Sequence, residues 1–465
     1  MTPESNSMLD HSDVLLKRQV SMVSLDGFAK VIVRPEVLLL LYIAAILHAW
    51  IVHLSMEGHW YSMDFSVYYT SALALRQGLN PYTTNIIQKA SRIGLDINAV
   101  PHATDPPTFL LCFEPLTLLQ PQTAYWTWIG INIVALVLSL SILTSGRGIS
   151  RGSKLAIIAL VVLYPPVASN FVVAQSKIPL LLCFAMMMRF LEENEIAAGF
   201  CLSMAVMLRG YPLIAAGYLI CRRQWRVIFY MFAGLAIGGL ITLFICGFSV
   251  LFSFVTDALG SLNGGEWVPF PSNFTLGAFI SRQFWIIGDH PVFVFNGFRI
   301  FLVLISQSAV LCASVMATVK NASRADRDWR ALCLWLITAT FLSPIGYMYD
   351  LVLAIPLIIQ LVIAASHGDA SRRAIWCMIG SYLIASAMGD AVAMLYSSGI
   401  VGVVTPIVGT TLSQRIWMLT HEYLFLSLLL AYLSAYFFAV DDGKIEQANK
   451  REAVDSEEIA RLPSS

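Results

Sequence analysis

Apolar residues run along this chain in long blocks separated by short polar connections. A helix needs about 20 apolar residues to cross a bilayer. The clearest blocks are 36–54, 123–143, 155–172, 227–250, 294–318, 331–346, 351–366, 374–396 and 416–439. Three shorter blocks, 178–191, 196–208 and 211–221, are broken at Glu192-Glu193-Asn194-Glu195 and at Arg209-Gly210-Tyr211-Pro212. Counted together, they predict an all-α polytopic membrane protein with about 12 spans. The block 107–120 is short and is edged or interrupted by Pro106, Pro107, Pro115 and Pro121, so it reads as re-entrant or interfacial. Residues 1–35 read as a polar cytoplasmic tail before a retained first span, 36–440 as one membrane domain, and 441–465 as a disordered cytoplasmic tail.

Composition agrees with the pattern. Apolar residues make up 57% of the chain and charged residues 12%, a balance that one soluble core could not bury. Net charge is zero, so no global field favours nucleic acid. With the N-terminus inside, 21 of the 29 Lys and Arg fall in cytoplasmic segments and 8 outside, as positive-inside orientation requires. A full span at 107–120 would invert that asymmetry. Both termini are therefore expected in the cytoplasm, with long outer segments at 55–122 and 251–293.

Candidate chemistry then sorts to one face. Asp64 opens Asp64-Phe65-Ser66-Val67-Tyr68-Tyr69, a helical stretch ending at Gly78-Leu79-Asn80-Pro81-Tyr82. There it is either a helix cap or a partly desolvated base. Tyr68 and Tyr69 read as anchors at the membrane surface. Asp105, before Pro106-Pro107, is a turn former or a ligand for a sugar hydroxyl or metal. Gln175, Ser176 and Lys177 follow the break at Tyr164-Pro165-Pro166. Arg209 reads as a lone cation at membrane depth, either snorkelling or receiving an anion such as phosphate. Asp350, in Ser343-Pro344-Ile345-Gly346-Tyr347-Met348-Tyr349-Asp350, is a second outer carboxylate or a cap. Asp390, inside the block 374–396, has no such reading. Walker, dinucleotide-glycine, HExxH and GxSxG motifs are absent from the sequence, which argues against an ATP-driven pump. The eight cysteines include no CxxC pair, and the histidines form no ligand pattern, so no metal or other cofactor is expected.

The opening motif Asp64-Phe65-x-Val67-Tyr68-Tyr69 with Gly78-Leu79-Asn80-Pro81-Tyr82 resembles that of glycosyltransferase family 87. That family belongs to the GT-C superfamily and includes mycobacterial phosphatidylinositol mannoside mannosyltransferases. Pro106-Pro107 and the apolar run to Pro121 resemble its tyrosine-proline-proline segment. Ala174-Gln175-Ser176-Lys177 sits where the family tends to have Gly-Gln-x-Asn, Arg209-Gly210-Tyr211-Pro212 resembles its Lys-Pro-x-Pro, and Ser343 to Asp350 its late Ser-Pro motif.

The resemblance implies a GT-C-type fold whose first extracytoplasmic loop carries interfacial helices. It implies transfer of a hexose, mannose by the resemblance, from a polyprenyl-phosphate donor to a glycolipid or glycan acceptor, with inversion. Carried over by position, Asp64 is the general base, and Arg209, Tyr68, Gln175, Lys177, Asp105, Tyr347 and Asp350 bind substrate. The expected setting is the inner membrane of a bacterium, with membrane lipid as surroundings and the site on the extracytoplasmic side. The competing class is a transporter or flippase of a lipid-linked or anionic substrate, which broken helices also suit.

Overall fold

The computed structural model describes residues 63–95, 97, 102–145, 149–259, 273–286, 292–293, 295–320, 328–366, 371–388 and 422–440. The expected first span at 36–54, both tails, Asp390 and residues 260–272 of the outer segment lie outside the described residues.

Among the described residues three short helices come first: α1 (Met63–Arg76), α2 (Ile86–Ser91) and α3 (Pro107–Phe113). Each starts or stops where the sequence dictates. Asn85 caps α2 by accepting from the Gln88 N–H at 3.1 Å. Pro107 opens α3, where its missing N–H costs nothing, and a 3₁₀ turn over Glu114–Leu118 carries the chain to Pro121. The segment 107–120 thus folds as a seven-residue α-helix followed by a 3₁₀ turn, with no single long helix.

The long and broken helices follow. They are α4 (Pro121–Thr144), α5 (Arg151–Val162), α6 (Pro165–Val173), α7 (Lys177–Phe190), α8 (Glu195–Leu208), α9 (Ala216–Cys221), α10 (Trp225–Cys246) and α11 (Phe248–Ser253). Then come α12 (Leu276–Arg282), α13 (Asn296–Lys320), α14 (Asp328–Leu342), α15 (Ile355–Ser366), α16 (Arg372–Leu383) and α17 (Tyr423–Val440). The architecture is α-helical; one antiparallel pair of two-residue strands, Trp285–Ile286 and Val292–Phe293, precedes α13.

Five described helices are long and apolar enough to cross a bilayer: α4, α10, α13, α17 and the continuous run Met348–Ser366 that contains α15. A sixth arises if α5 and α6, bent by 49° at Tyr164-Pro165, count as one broken span. The three shorter sequence blocks fold as α7, α8 and a 3₁₀ turn (Tyr211–Ala215) leading into α9. Their breaks are local chemistry. Asn194 accepts from the Ile196 and Ala197 N–H groups at 3.1 Å and restarts the chain as α8. Arg209 has extended backbone and ends that helix.

Burial separates inner from outer helices. The Met348–Ser366 run is 72% buried, whereas α10 is 17% and α13 11% buried. The exposed sides of the last two carry Phe229, Phe232, Phe244, Phe298, Phe301 and Leu304, an apolar surface that lipid would solvate. Helices α8 and α10 approach closely because small residues face each other. A Cβ on Gly199 would come within 2.6 Å of the Val227 carbonyl oxygen, and one on Gly234 within 2.3 Å of Ser203 Oγ.

A second core lies over the first helices. Phe65, Tyr68, Tyr82, Phe109, Phe113, Tyr125 and Trp128 pack together, many edge-to-face, as Phe65 on Tyr125 at 5.2 Å between centroids. This changes the expectation for Tyr68 and Tyr69. Both are buried, and the Tyr69 hydroxyl donates to the Leu119 carbonyl at 2.8 Å, so they serve the interior and are not surface anchors.

The late turn is pinned from the other side. Asn273 donates from Nδ2 to the Pro344 carbonyl at 3.1 Å and accepts the Gly346 N–H at 3.0 Å. Arg282 grips Glu422 through Nε and Nη2 at 2.8 and 2.7 Å. That bidentate pair ties α12 to the start of α17 and fixes the platform on which Tyr347 and Asp350 stand.

Candidate active site

The eight residues assigned to the site from the sequence lie close together; Asp390 is outside the described residues. Asp64 lies in the first turn of α1, half-buried. Its Oδ2 accepts from Gln175 Nε2 at 2.7 Å. Gln175 Oε1 accepts in turn from the Tyr68 hydroxyl at 2.5 Å and from Arg209 Nη2 at 2.8 Å. Arg209 also donates through Nη2 to the Tyr68 oxygen, through Nη1 to Asp105 Oδ1, and through Nε to Ser176 Oγ at 3.1 Å. Its guanidinium sits 5.6 Å from the Tyr68 ring centroid and 5.9 Å from that of Phe109.

Arg209 is therefore not the lone cation the sequence suggested. It is paired with Asp105, which is 1% exposed. A buried charge without such a partner would carry a penalty of several kcal/mol, on the order given by ion desolvation. Asp105 is consequently more than a turn former, and its backbone carbonyl also accepts from the Tyr82 hydroxyl at 2.7 Å.

A second pair adjoins the first. Lys177 Nζ lies 2.5 Å from Asp350 Oδ1, with 6% and 3% of the side chains exposed. The ammonium sits over the rings of Tyr211 and Tyr349, 4.9 and 5.7 Å from their centroids. Asp350 accepts from the Tyr211 hydroxyl at 3.2 Å and from the Tyr347 N–H at 2.8 Å. Asp350 thus takes part in a capping box, as the residue three positions after the cap Tyr347 and not as the cap itself, and it carries an ion pair as well.

The turn after α6 supplies Gln175, Ser176 and Lys177 and is built with care. Ala174 takes a left-handed conformation, φ 53°, which closes α6. The Gln175 N–H reaches back to the Asn170 carbonyl at 2.9 Å, the bond of a Schellman turn. Glycine is the residue that adopts this φ without steric cost, which gives a physical reason for the glycine of the resembling motif. Trp128 Nε1 donates to the Ala174 carbonyl at 2.8 Å from α4. Asn170 accepts the Lys177 N–H at 3.2 Å and donates to Asn132 Oδ1 at 3.2 Å.

The sequence reading missed Asn132 and the phenols of Tyr211 and Tyr349 as parts of the site. One signal was available. Asn132 interrupts an otherwise apolar span, and a polar side chain there usually serves a partner inside the bundle.

Electrostatics distinguish the two carboxylates outside the spans. Burial pushes Asp64 up to about 6, against the Gln175 hydrogen bond and the Arg209 charge, which favour its ionised form. Burial also raises Asp105, opposed by Arg209 and Lys177. With all groups ionised, three carboxylates face two cations. The site can hold a carboxylate that titrates near neutrality beside a fixed, fork-shaped donor for an oxyanion.

A helical membrane protein with an ionised network of this kind has the makings of a membrane enzyme. Residues 104–344 match the model of glycosyltransferase family 87, and the chain belongs to that family. It is a membrane glycosyltransferase. No curated protein sequence matches the chain. The matched segment contains Asp105, Gln175, Lys177 and Arg209; Asp64, Tyr68, Tyr347 and Asp350 flank it, and their membership of the site rests on geometry. Membership in the family favours the enzyme over the transporter or flippase.

Proposed function

We propose that the protein transfers a hexose, mannose in the first instance, from a polyprenyl-phosphate donor to a glycolipid or glycan acceptor. The observation that carries this reading is the link Asp64–Gln175–Arg209, in which one amide joins a carboxylate of raised pKa to a guanidinium. A glycosyl transfer from a lipid phosphate needs those two functions close together. A base must take the acceptor's hydroxyl proton, and a cation must steady the departing phosphate.

Asp64 takes the proton as the acceptor oxygen attacks the anomeric carbon. The carbon–oxygen bond to phosphate breaks, and its electron pair stays on the phosphate. The phosphate passes from one negative charge to two while Asp64 becomes neutral, so the total charge of the site is unchanged. Arg209 exchanges part of its hold on protein for the growing charge of the phosphate, and stronger binding in the transition state lowers the barrier. Attack opposite the leaving phosphate inverts the anomeric centre. Tyr68 and Asp105 hold Arg209, and Lys177, Asp350 and Tyr347 flank the sugar. On the proposed topology this surface is extracytoplasmic in the plasma membrane of a bacterium, where a lipid-linked donor presents its phosphate at the membrane edge.

The test is transfer by membranes or purified protein supplied with polyprenyl-phosphate [14C]mannose and a glycolipid acceptor. Wild type transfers label, Asp64→Asn does not, and the product is the inverted anomer. Full activity of Asp64→Asn would remove the base, and absence of transfer from any lipid-phosphate sugar would remove the donor class.

A further inference from the structure

We infer that Gln175 is a positioning residue that aims the Asp64 carboxylate and ties it mechanically to Arg209, an inference that rests on the transferase reading above. The sequence had suggested that Gln175 touches substrate. The structure engages both ends of its amide with protein instead: Nε2 donates to Asp64 Oδ2, and Oε1 accepts from Tyr68 and Arg209.

This arrangement admits one amide orientation. Three donors converge on the oxygen end, namely the Tyr68 hydroxyl, Arg209 Nη2 and the Ser176 N–H at 3.4 Å, and an acceptor faces the nitrogen end. A flipped amide would set N–H against these donors and oxygen against a carboxylate. The side chain is 4% exposed. Its backbone is fixed by the turn at Ala174, with the Gln175 carbonyl accepting from Asn170 Nδ2 at 3.3 Å. A donor aimed at Asp64 is thus set by Arg209 and Tyr68, groups that do not themselves bond the carboxylate in this network.

Two consequences follow. With Oδ2 occupied by the amide, the acceptor's proton goes to Oδ1, which fixes the direction of attack. The amide also favours the ionised carboxylate. Arg209 and Lys177 act in the same sense, Asp105 acts against them, and the phenols of Tyr68, Tyr347 and Tyr349 face the same carboxylate. A phosphate that draws Arg209 toward itself relaxes its hold on Gln175 Oε1, so donor arrival is communicated to the base through one side chain.

The experiment uses the full chain in lipid nanodiscs. The carbonyl band of the protonated Asp64 carboxyl, assigned by its loss in Asp64→Asn, is followed by infrared difference spectroscopy against pH. In wild type its midpoint lies near pH 6. Gln175→Leu moves that midpoint up by about one pH unit or more, and the acid limb of kcat moves with it while the donor KM changes less. Gln175→Glu keeps the shape and sets a second carboxyl against the first, so the titration splits into two steps. An unchanged midpoint in both folded variants overturns the inference. A shifted band, when wild type itself transfers no sugar from a polyprenyl-phosphate donor, leaves the positioning intact and overturns the proposed donor. Active enzyme whose band stays put overturns the positioning alone.

Discussion

The Lys177 ammonium lies 2.5 Å from the Asp350 carboxylate, and both side chains are buried against Tyr211 and Tyr349. Removing one partner of such a pair strands the other charge. Lys177→Met and Asp350→Asn are each expected to lower stability by about 3–5 kcal/mol, and the double variant by much less than their sum. Thermal unfolding in detergent or nanodiscs checks this. Additive losses would mean that the two groups do not compensate each other.

Asp64 gives the pH dependence, with opposite signs for activity and stability. Its folded value near 6 stands above the ordinary 3.8. Transfer should fall as pH drops through about 6, because the base becomes protonated. Between those two values the folded state keeps a proton that the unfolded state has released. Stability therefore falls as pH rises through the window and stays lower above it. Asp64→Asn removes that penalty, so the variant should be more stable at neutral pH, by about 3 kcal/mol for the full shift and on the order of 2 kcal/mol once solvent screening of the half-buried carboxylate is counted, while losing transfer. A rate profile flat down to pH 5, or a variant no more stable than wild type at neutral pH, would contradict the assignment.

Arg209 offers a sharper chemical test than its removal. Arg209→Lys keeps the charge and loses the fork that reaches Asp105, Tyr68, Gln175 and Ser176 together. Transfer should drop about 100-fold or more in kcat/KM, mostly in kcat, if the fork serves the leaving phosphate. Raised KM with kcat intact would indicate uniform binding of the donor instead.

The membrane class and the breaks were legible because they depend on local signals. Runs of apolar residues set helix lengths, Tyr164-Pro165 bends α5 against α6, and Asn194 restarts the chain. The residues of the site were legible for a related reason, since Asp64, Asp105, Lys177, Arg209 and Asp350 are charges beside apolar blocks. Their pairing was not. Nothing local joins Asp105 to Arg209 or Lys177 to Asp350; only the packing of α3 near the end of α8, and of α7 near the 348–354 turn, brings them together. For the same reason Tyr68 looked like a surface anchor. An amphipathic ring reads alike at a lipid headgroup and in an aromatic core, and the choice was made by Phe109 and Phe113, which pack edge-on against it.

The contact between α8 and α10 isolates a structural role from a chemical one. Gly199 and Gly234 let the helices meet where a Cβ would run into the Val227 carbonyl or Ser203 Oγ. The obstacle at Gly199 is backbone, which cannot rotate away. Gly199→Ala must therefore push the helices apart or strain α8, and overpacking of this kind costs about 1–3 kcal/mol. At Gly234 the obstacles are Ser203 Oγ at 2.3 Å and Ser203 Cβ at 2.8 Å, so Gly234→Ala combined with Ser203→Ala should recover only part of the loss. Because α8 ends at the residue before Arg209, a displaced α8 would also misplace the guanidinium. Gly199→Ala is then expected to lower both the unfolding temperature and kcat and to move the acid limb of the pH profile up from about 6, since Arg209 favours the ionised Asp64 by its charge and through its hold on Gln175. Unfolding scans and pH–rate profiles on the same preparation separate these effects. An unchanged unfolding temperature in Gly199→Ala would show that the two helices can part without cost.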